Sequence, residues 1–179
     1  MTDSMLPHAP SLDEPLEMLE ACHDRIEAQL KTLERLLEYL PLHGADDQAR
    51  QAAQNVMRYF DLAGANHHED EEKNLFPRLL RRAAKNELEM VRSLVSELLG
   101  DHIQMSAALN SVRNQLASII DGTSIFLEEA AVRRVTALYR GHIEKENRYL
   151  LPLARRLLNP EDIGVLSRAM TARRSPSNA

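Results

Sequence analysis

His67-His68-Glu69-Asp70-Glu71-Glu72-Lys73-Asn74-Leu75-Phe76-Pro77 has a near copy downstream, His142-Ile143-Glu144-Lys145-Glu146-Asn147-Arg148-Tyr149-Leu150-Leu151-Pro152. In each, a His precedes a Glu by four residues and a Pro follows that Glu by six. An i, i+4 spacing stacks the imidazole and the carboxylate on one face of a helix. On two helices that face each other, two such pairs offer a pair of metal ions both nitrogen donors and bridging oxygens. Ordinary packing gives no reason to write the pattern twice.

Around these stretches the chain reads as four long helices and a short fifth. The first spans about residues 12–39, with Leu16, Leu19, Ile26, Leu30, Leu33 and Leu37 as an apolar stripe at helical period, and the Pro41 to Gly44 segment ends it. The second spans about 46–84, acidic at its start and Arg-rich near its end, as the helix dipole favours. The third spans about 87–120, with Met90, Val91, Leu94, Val95 and Leu98 on its stripe. After the turn Asp121-Gly122-Thr123 comes a fourth over about 125–158, with Thr123 or Ser124 as its expected cap. Pro160 suits the first turn of a fifth that runs to about 173. Long helices joined by short connections predict an all-α, antiparallel up-down-up-down four-helix bundle with a short C-terminal helix. Residues 1–11 read as a flexible arm, 12–173 as one domain and 174–179 as a frayed tail. Pro77 and Pro152 fall inside expected helices, where each removes a backbone hydrogen bond at a cost of about 3 kcal/mol, so a kink or break is expected twice at one place in the pattern.

The bulk composition excludes several classes. At 179 residues the chain is long enough for one substantial core. With 4% aromatics and no Trp, that core is built from aliphatic residues and Met. A net charge of −5 argues against nonspecific binding to nucleic acid, whose phosphates need a basic surface. A single cysteine, Cys22, excludes an intrachain disulfide and a Cys-based zinc site and fits a reducing compartment; it reads as a small buried residue. No signal-like or membrane-spanning apolar run is present, so a cytoplasmic protein without a membrane partner is expected.

Seven histidines are present. His8 and His43 read as surface residues. His23 lies on the face of Leu16, Leu19, Ile26 and Leu30; His102 lies on that of Val95, Leu98 and Met105. His67 shares a face with Phe60, Gly64, Glu71 and Asn74; His142 shares one with Val135, Tyr139, Glu146 and Tyr149. A lone inward His is more often a hydrogen-bonded core residue than a ligand. Four helices each offering one, two of them with an inward Glu, change that balance, because buried unpaired carboxylates are costly and a pair of dications compensates them. The metal ligands are therefore read as His23, His67, Glu71, His102, His142 and Glu146. His68 and Glu72 also stand at i, i+4, but the spacing to the prolines favours His67 with Glu71; His68 then stands behind a ligand, as an extra ligand or at the surface, and the surface is favoured. Glu69, Asp70, Glu72 and Glu144 are read as solvated charges.

The order His23, His67 with Glu71, His102, His142 with Glu146 resembles the hemerythrin-like, or HHE cation-binding, domain. Glu71-Glu72-Lys73-Asn74-Leu75-Phe76-Pro77 and Leu150-Leu151-Pro152 resemble its helix ends. The resemblance covers about residues 12–173 and implies a four-helix bundle around an oxygen-bridged di-iron centre. Two departures separate this chain from oxygen-carrying hemerythrins. Ser106 stands where they have a second third-helix His, and Glu146 follows His142 by four residues where they have an Asp at five. Reversible oxygen carriage is therefore not implied.

Four imidazoles, two bridging carboxylates and an oxo or hydroxo bridge leave about two of twelve positions open on two six-coordinate metals. That is room for oxygen, nitric oxide or peroxide. Imidazole with carboxylate suits iron, manganese or zinc, and the resemblance favours two iron ions. Tyr59, Tyr139 and Tyr149 are read as core or surface residues. A ferritin-like site needs Glu-x-x-His twice, and only Glu20 with His23 has that spacing. The expectation is a non-haem di-iron protein that binds or senses oxygen, nitric oxide or redox state. An oxidase or peroxide-consuming enzyme, an iron donor for cluster repair, and a metal-stabilised partner-binding bundle are the alternatives. A sensor would signal to a protein partner through the fifth helix or the N-terminal arm.

Overall fold

The computed structural model describes residues 10–175. Most of the arm expected over 1–11, His8 included, and most of the tail expected over 174–179 lie outside the described residues. Helix α1 is Pro15–His43. Helix α2 covers residues 47–82, and its α-helical course is interrupted by π-turns at Phe60–Gly64 and Asp70–Leu75. Helix α3 is Leu88–Ile120. Helix α4 covers residues 129–157 with a π-turn at Glu146–Leu150. Helix α5 is Pro160–Arg174. Each long helix packs against its two ring neighbours, α1 on α2 and α4, and α3 on α2 and α4. The fold is the expected all-α bundle, and α5 packs against α1 and the second π-turn of α2. Among the described residues, no helix is long and apolar enough to cross a membrane.

Local chemistry explains the element ends, with two departures from the sequence reading. Helix α1 does not stop at Pro41. That ring lies within the last turn, and the helix ends where Gly44 takes a φ of 72° and donates its N–H to the Leu40 carbonyl. Helix α4 starts at Glu129 rather than near Ile125, and neither Thr123 nor Ser124 caps it. The Ser124 hydroxyl instead accepts from the Phe126 N–H, and Gln115 Oε1 accepts from that of Glu128 at 2.6 Å. The expected start of α2 is borne out, since Asp46 accepts from the Ala49 N–H as an N-cap. Asn159 and Asp162 form a capping box at the head of α5.

Pro77 and Pro152 do not break their helices. Each sits just after a π-turn that begins at or beside the repeated Glu. The wide turn adds one residue, so the N–H of the residue before each proline reaches back five positions. Phe76 donates to the Glu71 carbonyl and Leu151 to that of Glu146. The added residue also rotates the helix beyond it. Leu75 and Leu150 face inward where an unbroken helix would place Asn74 and Tyr149, and Tyr149 is half exposed to solvent.

The core is divided in two. One apolar cluster runs from Ile26 through Leu40 on α1 with Phe60, Met105, Val112, Leu116 and Tyr139. The other gathers Leu16, Leu19, Leu75, Phe76, Leu98 and Leu150 with Leu166 and Met170 of α5. Between them lies a belt of buried polar side chains.

Candidate metal centre

The belt holds all six residues singled out from the sequence: His23, His67, Glu71, His102, His142 and Glu146, each at most 4% exposed. Every helix of the bundle contributes at least one. On α1 and α3 the apolar stripe is interrupted by one polar residue, His23 between Leu19 and Ile26, and His102 between Leu98 and Met105; on α2 and α4 it is interrupted by a His and a Glu.

The two carboxylates divide their oxygens between two pairs of imidazoles. Glu71 Oε1 lies 3.2 Å from His67 Nε2, and its Oε2 lies 3.5 Å from His102 Nε2. Glu146 Oε2 lies 3.0 Å from His23 Nε2 and 4.0 Å from His67 Nε2, while its Oε1 lies 3.2 Å from His142 Nε2. Two four-donor groups result, His23, His67, Glu71, Glu146 and His102, His142, Glu71, Glu146, sharing both carboxylates. Donors about 2.1 Å from one ion stand about 3 Å apart when they subtend a right angle at it. The spacings here are of that order.

Residues around the belt orient the imidazoles. An amide oxygen and a carboxylate carry no proton, so His23 Nδ1 donates to Asn147 Oδ1 at 2.7 Å and His102 Nδ1 to Glu72 Oε1 at 2.6 Å. His142 Nδ1 faces Asp101 Oδ2 at 3.3 Å, and the same oxygen accepts from Lys145 Nζ at 2.7 Å. In the neutral rings the lone pair is then on Nε2, the nitrogen that points into the belt. The Nε2 atoms of His102 and His142 are 3.1 Å apart. His23 Nε2, Glu71 Oε2 and both oxygens of Glu146 are buried without a hydrogen-bond donor. Lone pairs facing lone pairs in a dry interior repel, and a cation between them removes the repulsion. The donor set fits a pair of cations.

Burial acts on Glu71, Glu146, His67, His102 and His142. It lifts the Glu71 carboxyl well above the usual carboxylate range, and the neighbouring Glu146 charge lifts it further. Burial pushes Glu146 the same way, but His142 and His23 outweigh it and hold Glu146 well below that range. His67 is lowered to about 3, chiefly by burial against the partial pull of Glu146. His102 is lowered by burial and by His142. Burial also opposes the charge on His142, yet Glu146 and Asp101 on its two sides raise it. The two carboxyls are thus pushed in opposite directions, and a pair of cations would favour the ionised form of both.

Three sequence readings need correction. His68 is not a surface residue: its ring stacks on that of His102 with centroids 4.1 Å apart, its Nε2 is buried without a partner, and burial holds it well below its ordinary pKa. His68, His102 and His142 thereby form a third donor group. Glu72 is not merely a solvated charge, since it holds His102. Asp70 is fully buried, with Arg173 on one carboxylate oxygen and Arg174 on the other at 2.6 Å. Glu69 and Glu144 are at the surface as read, Glu69 pairing with Lys73 and Arg173. Tyr139 is buried, and the Tyr59 hydroxyl reaches the Cys22 carbonyl at 3.4 Å, so the tyrosines are packing and surface residues as read. Cys22 is buried. Ser106 is exposed, and the imidazole beside His102 comes instead from His68 of α2.

Asp101 and Asn147 were missed altogether. The signal for Asn147 was the repeat itself: Glu72 and Asn147 each follow the repeated Glu by one residue, and each holds the single His of a neighbouring helix. A surface cavity of about 510 Å³ between α1 and α4 reaches this point, lined by His23, Glu27, Arg140, Asn147 and Arg148.

Residues 14–154 match the family described as Hemerythrin HHE cation binding domain. A Haemophilus influenzae protein described as uncharacterized is 28% identical over 162 residues, spanning 90% of this chain and 91% of its own length.

Proposed function

This chain belongs to the hemerythrin HHE cation-binding domain family, and from that premise we propose that it is a non-haem di-iron protein that binds or senses oxygen, nitric oxide or redox state. The observation that carries the reading is the division of Glu71 and Glu146, each with one oxygen toward His23 and His67 and the other toward His102 and His142. Glu71 and Glu146 would be shared between two ions, with His23 and His67 on one side and His102 and His142 on the other, and imidazole with carboxylate suits iron, manganese or zinc. Bound iron supplies one-electron chemistry and coordination positions open to a small ligand.

The chain's own residues do the rest. Glu72, Asn147 and Asp101 fix the ring orientations, so Nε2 is the nitrogen presented inward. The two apolar clusters above and below exclude water from the belt. His68, kept neutral by burial, offers a further lone pair beside His102 and His142. The surface cavity between α1 and α4 is lined by His23 and offers a small molecule an approach to the belt. The belt itself is buried among side chains with no room for an extended organic substrate between the donors, so a gas, peroxide or redox signal is favoured over an oxidase for larger compounds.

The test is elemental analysis of anaerobically purified protein, with optical spectra before and after admitting oxygen. A pair of irons per chain with a new absorption band is expected. Less than one metal per chain, after anaerobic iron reconstitution as well, would sink the reading. His67→Ala and Glu146→Ala should each lose at least one metal, and unchanged metal content in both would remove the ligand assignment.

A further inference from the structure

The family match ends at residue 154, and α5 begins at Pro160. Yet the far end of α5 returns to the centre. Arg173 and Arg174 close on the two oxygens of Asp70, the residue immediately before Glu71. Arg173 also donates from Nε to Glu69 Oε2 at 3.0 Å and from Nη2 to Asn74 Oδ1 at 2.8 Å. One guanidinium therefore spans the π-turn from its leading edge to its last polar residue, with Glu71 inside the span.

The π-turn is the part of α2 least held by its own backbone. Its wide loop leaves the regular i, i+4 ladder, and its direction depends on outside ties. Asp70 is 0% exposed, so without the two arginines it would be a buried, uncompensated carboxylate beside a second one. The turn would have to rotate Asp70 toward water, and Glu71 would turn with it. Leu166 and Met170, both fully buried, fix α5 against Leu75 and Phe76 of the same segment. The other copy of the pattern has an equivalent tie in the opposite sign: Lys145, just before Glu146, is held 2.7 Å from both Glu97 and Asp101 of α3. Each repeated Glu thus follows a charged residue pinned by another helix, and for Glu71 that helix is α5.

We propose that Arg173 and Arg174 are positioning residues for Glu71, so that seating of the C-terminal end of α5 on the π-turn and metal binding at the centre are one coupled equilibrium. The proposal rests on the metal reading above. Coupling is reciprocal: if α5 favours the metal-bound geometry, metal must favour docked α5 by the same factor. Helix α5 then carries the state of the centre to the surface of the molecule.

The experiment uses the full chain and ferrous iron under argon. It reads iron affinity by chelator competition, the iron-induced rise in Tm, and hydrogen exchange over residues 160–174 with and without iron. In the wild-type protein iron should slow exchange in α5. In the double variant Arg173→Gln, Arg174→Gln, iron affinity should fall at least tenfold, with the iron-induced rise in Tm shrinking and the exchange difference lost. Arg82→Gln, which cuts the contact of Arg82 Nε with Asp162 Oδ2 at 2.6 Å near the head of α5, should lower Tm with and without iron alike and leave the affinity within twofold. A merely structural role for the arginine pair would behave as Arg82→Gln does, and that result overturns the proposal. If the double variant fails to fold, Asp70→Asn decides between the two by the same readouts, with a severalfold loss of affinity expected and none overturning the coupling. A wild-type chain that binds no iron would remove the metal reading and the coupling together. Normal loading in every variant removes the coupling alone.

Discussion

At His102 the position of one proton decides what the ring can do. Glu72 takes the Nδ1 hydrogen at 2.6 Å, so the neutral ring turns a bare Nε2 inward, and Asn147 does the same for His23 at 2.7 Å. Glu72→Ala and Asn147→Ala should each lower metal affinity about 10- to 100-fold, measured by chelator competition. Glu144→Ala, on the exposed side of α4, should change nothing. The same side chains that would hold metal also burden the metal-free fold. Glu71 is buried with its carboxyl pushed toward the neutral form and Oε2 without a donor. Glu71→Leu should therefore abolish metal loading yet leave the metal-free protein as stable as the wild type or more so, since apolar replacement of buried polar groups is often neutral to stabilising. A clear drop in the metal-free Tm of that variant would mean Glu71 contributes structurally beyond its ligand role.

At the scale of elements, three π-turns depart from regular α-helical backbone among the described residues. Two of them begin at or beside the repeated Glu, and each precedes a proline whose missing N–H would be costly in an unbroken helix. Helix α5 depends on its ends. Its head is fixed by the Asn159 and Asp162 capping box, with the Asp162 N–H reaching Asn159 Oδ1 at 2.9 Å. Asn159→Ala should cost about 1 kcal/mol, read as a shift in the denaturation midpoint.

For the whole molecule, the polar belt between two apolar clusters means that the metal-free bundle carries unpaired buried lone pairs through its middle. A ligand that binds only the folded state stabilises it by about 2.7 kcal/mol at a hundred times its Kd. Ferrous iron should therefore raise Tm by several degrees, and a chelator should reverse the gain. A Tm indifferent to iron, manganese and zinc alike would contradict a preformed site at this position.

The sequence by itself determined the fold class, the helix order and the six inward donors. Helical periodicity and the repeated His-x-x-x-Glu are local properties, and a bundle of four long helices has few other ways to bury them. It misplaced His68, Asp70 and Glu72 and overlooked Asp101 and Asn147, because each owes its role to a partner 30 to 124 residues away or to a ring stacked across the bundle. Only the tertiary structure decided which face each presents. The π-turns shift the helical register by a residue within the motif itself, and α5 returns along the bundle to hold the turn that carries Glu71. No periodicity read along one helix records a charge supplied by another.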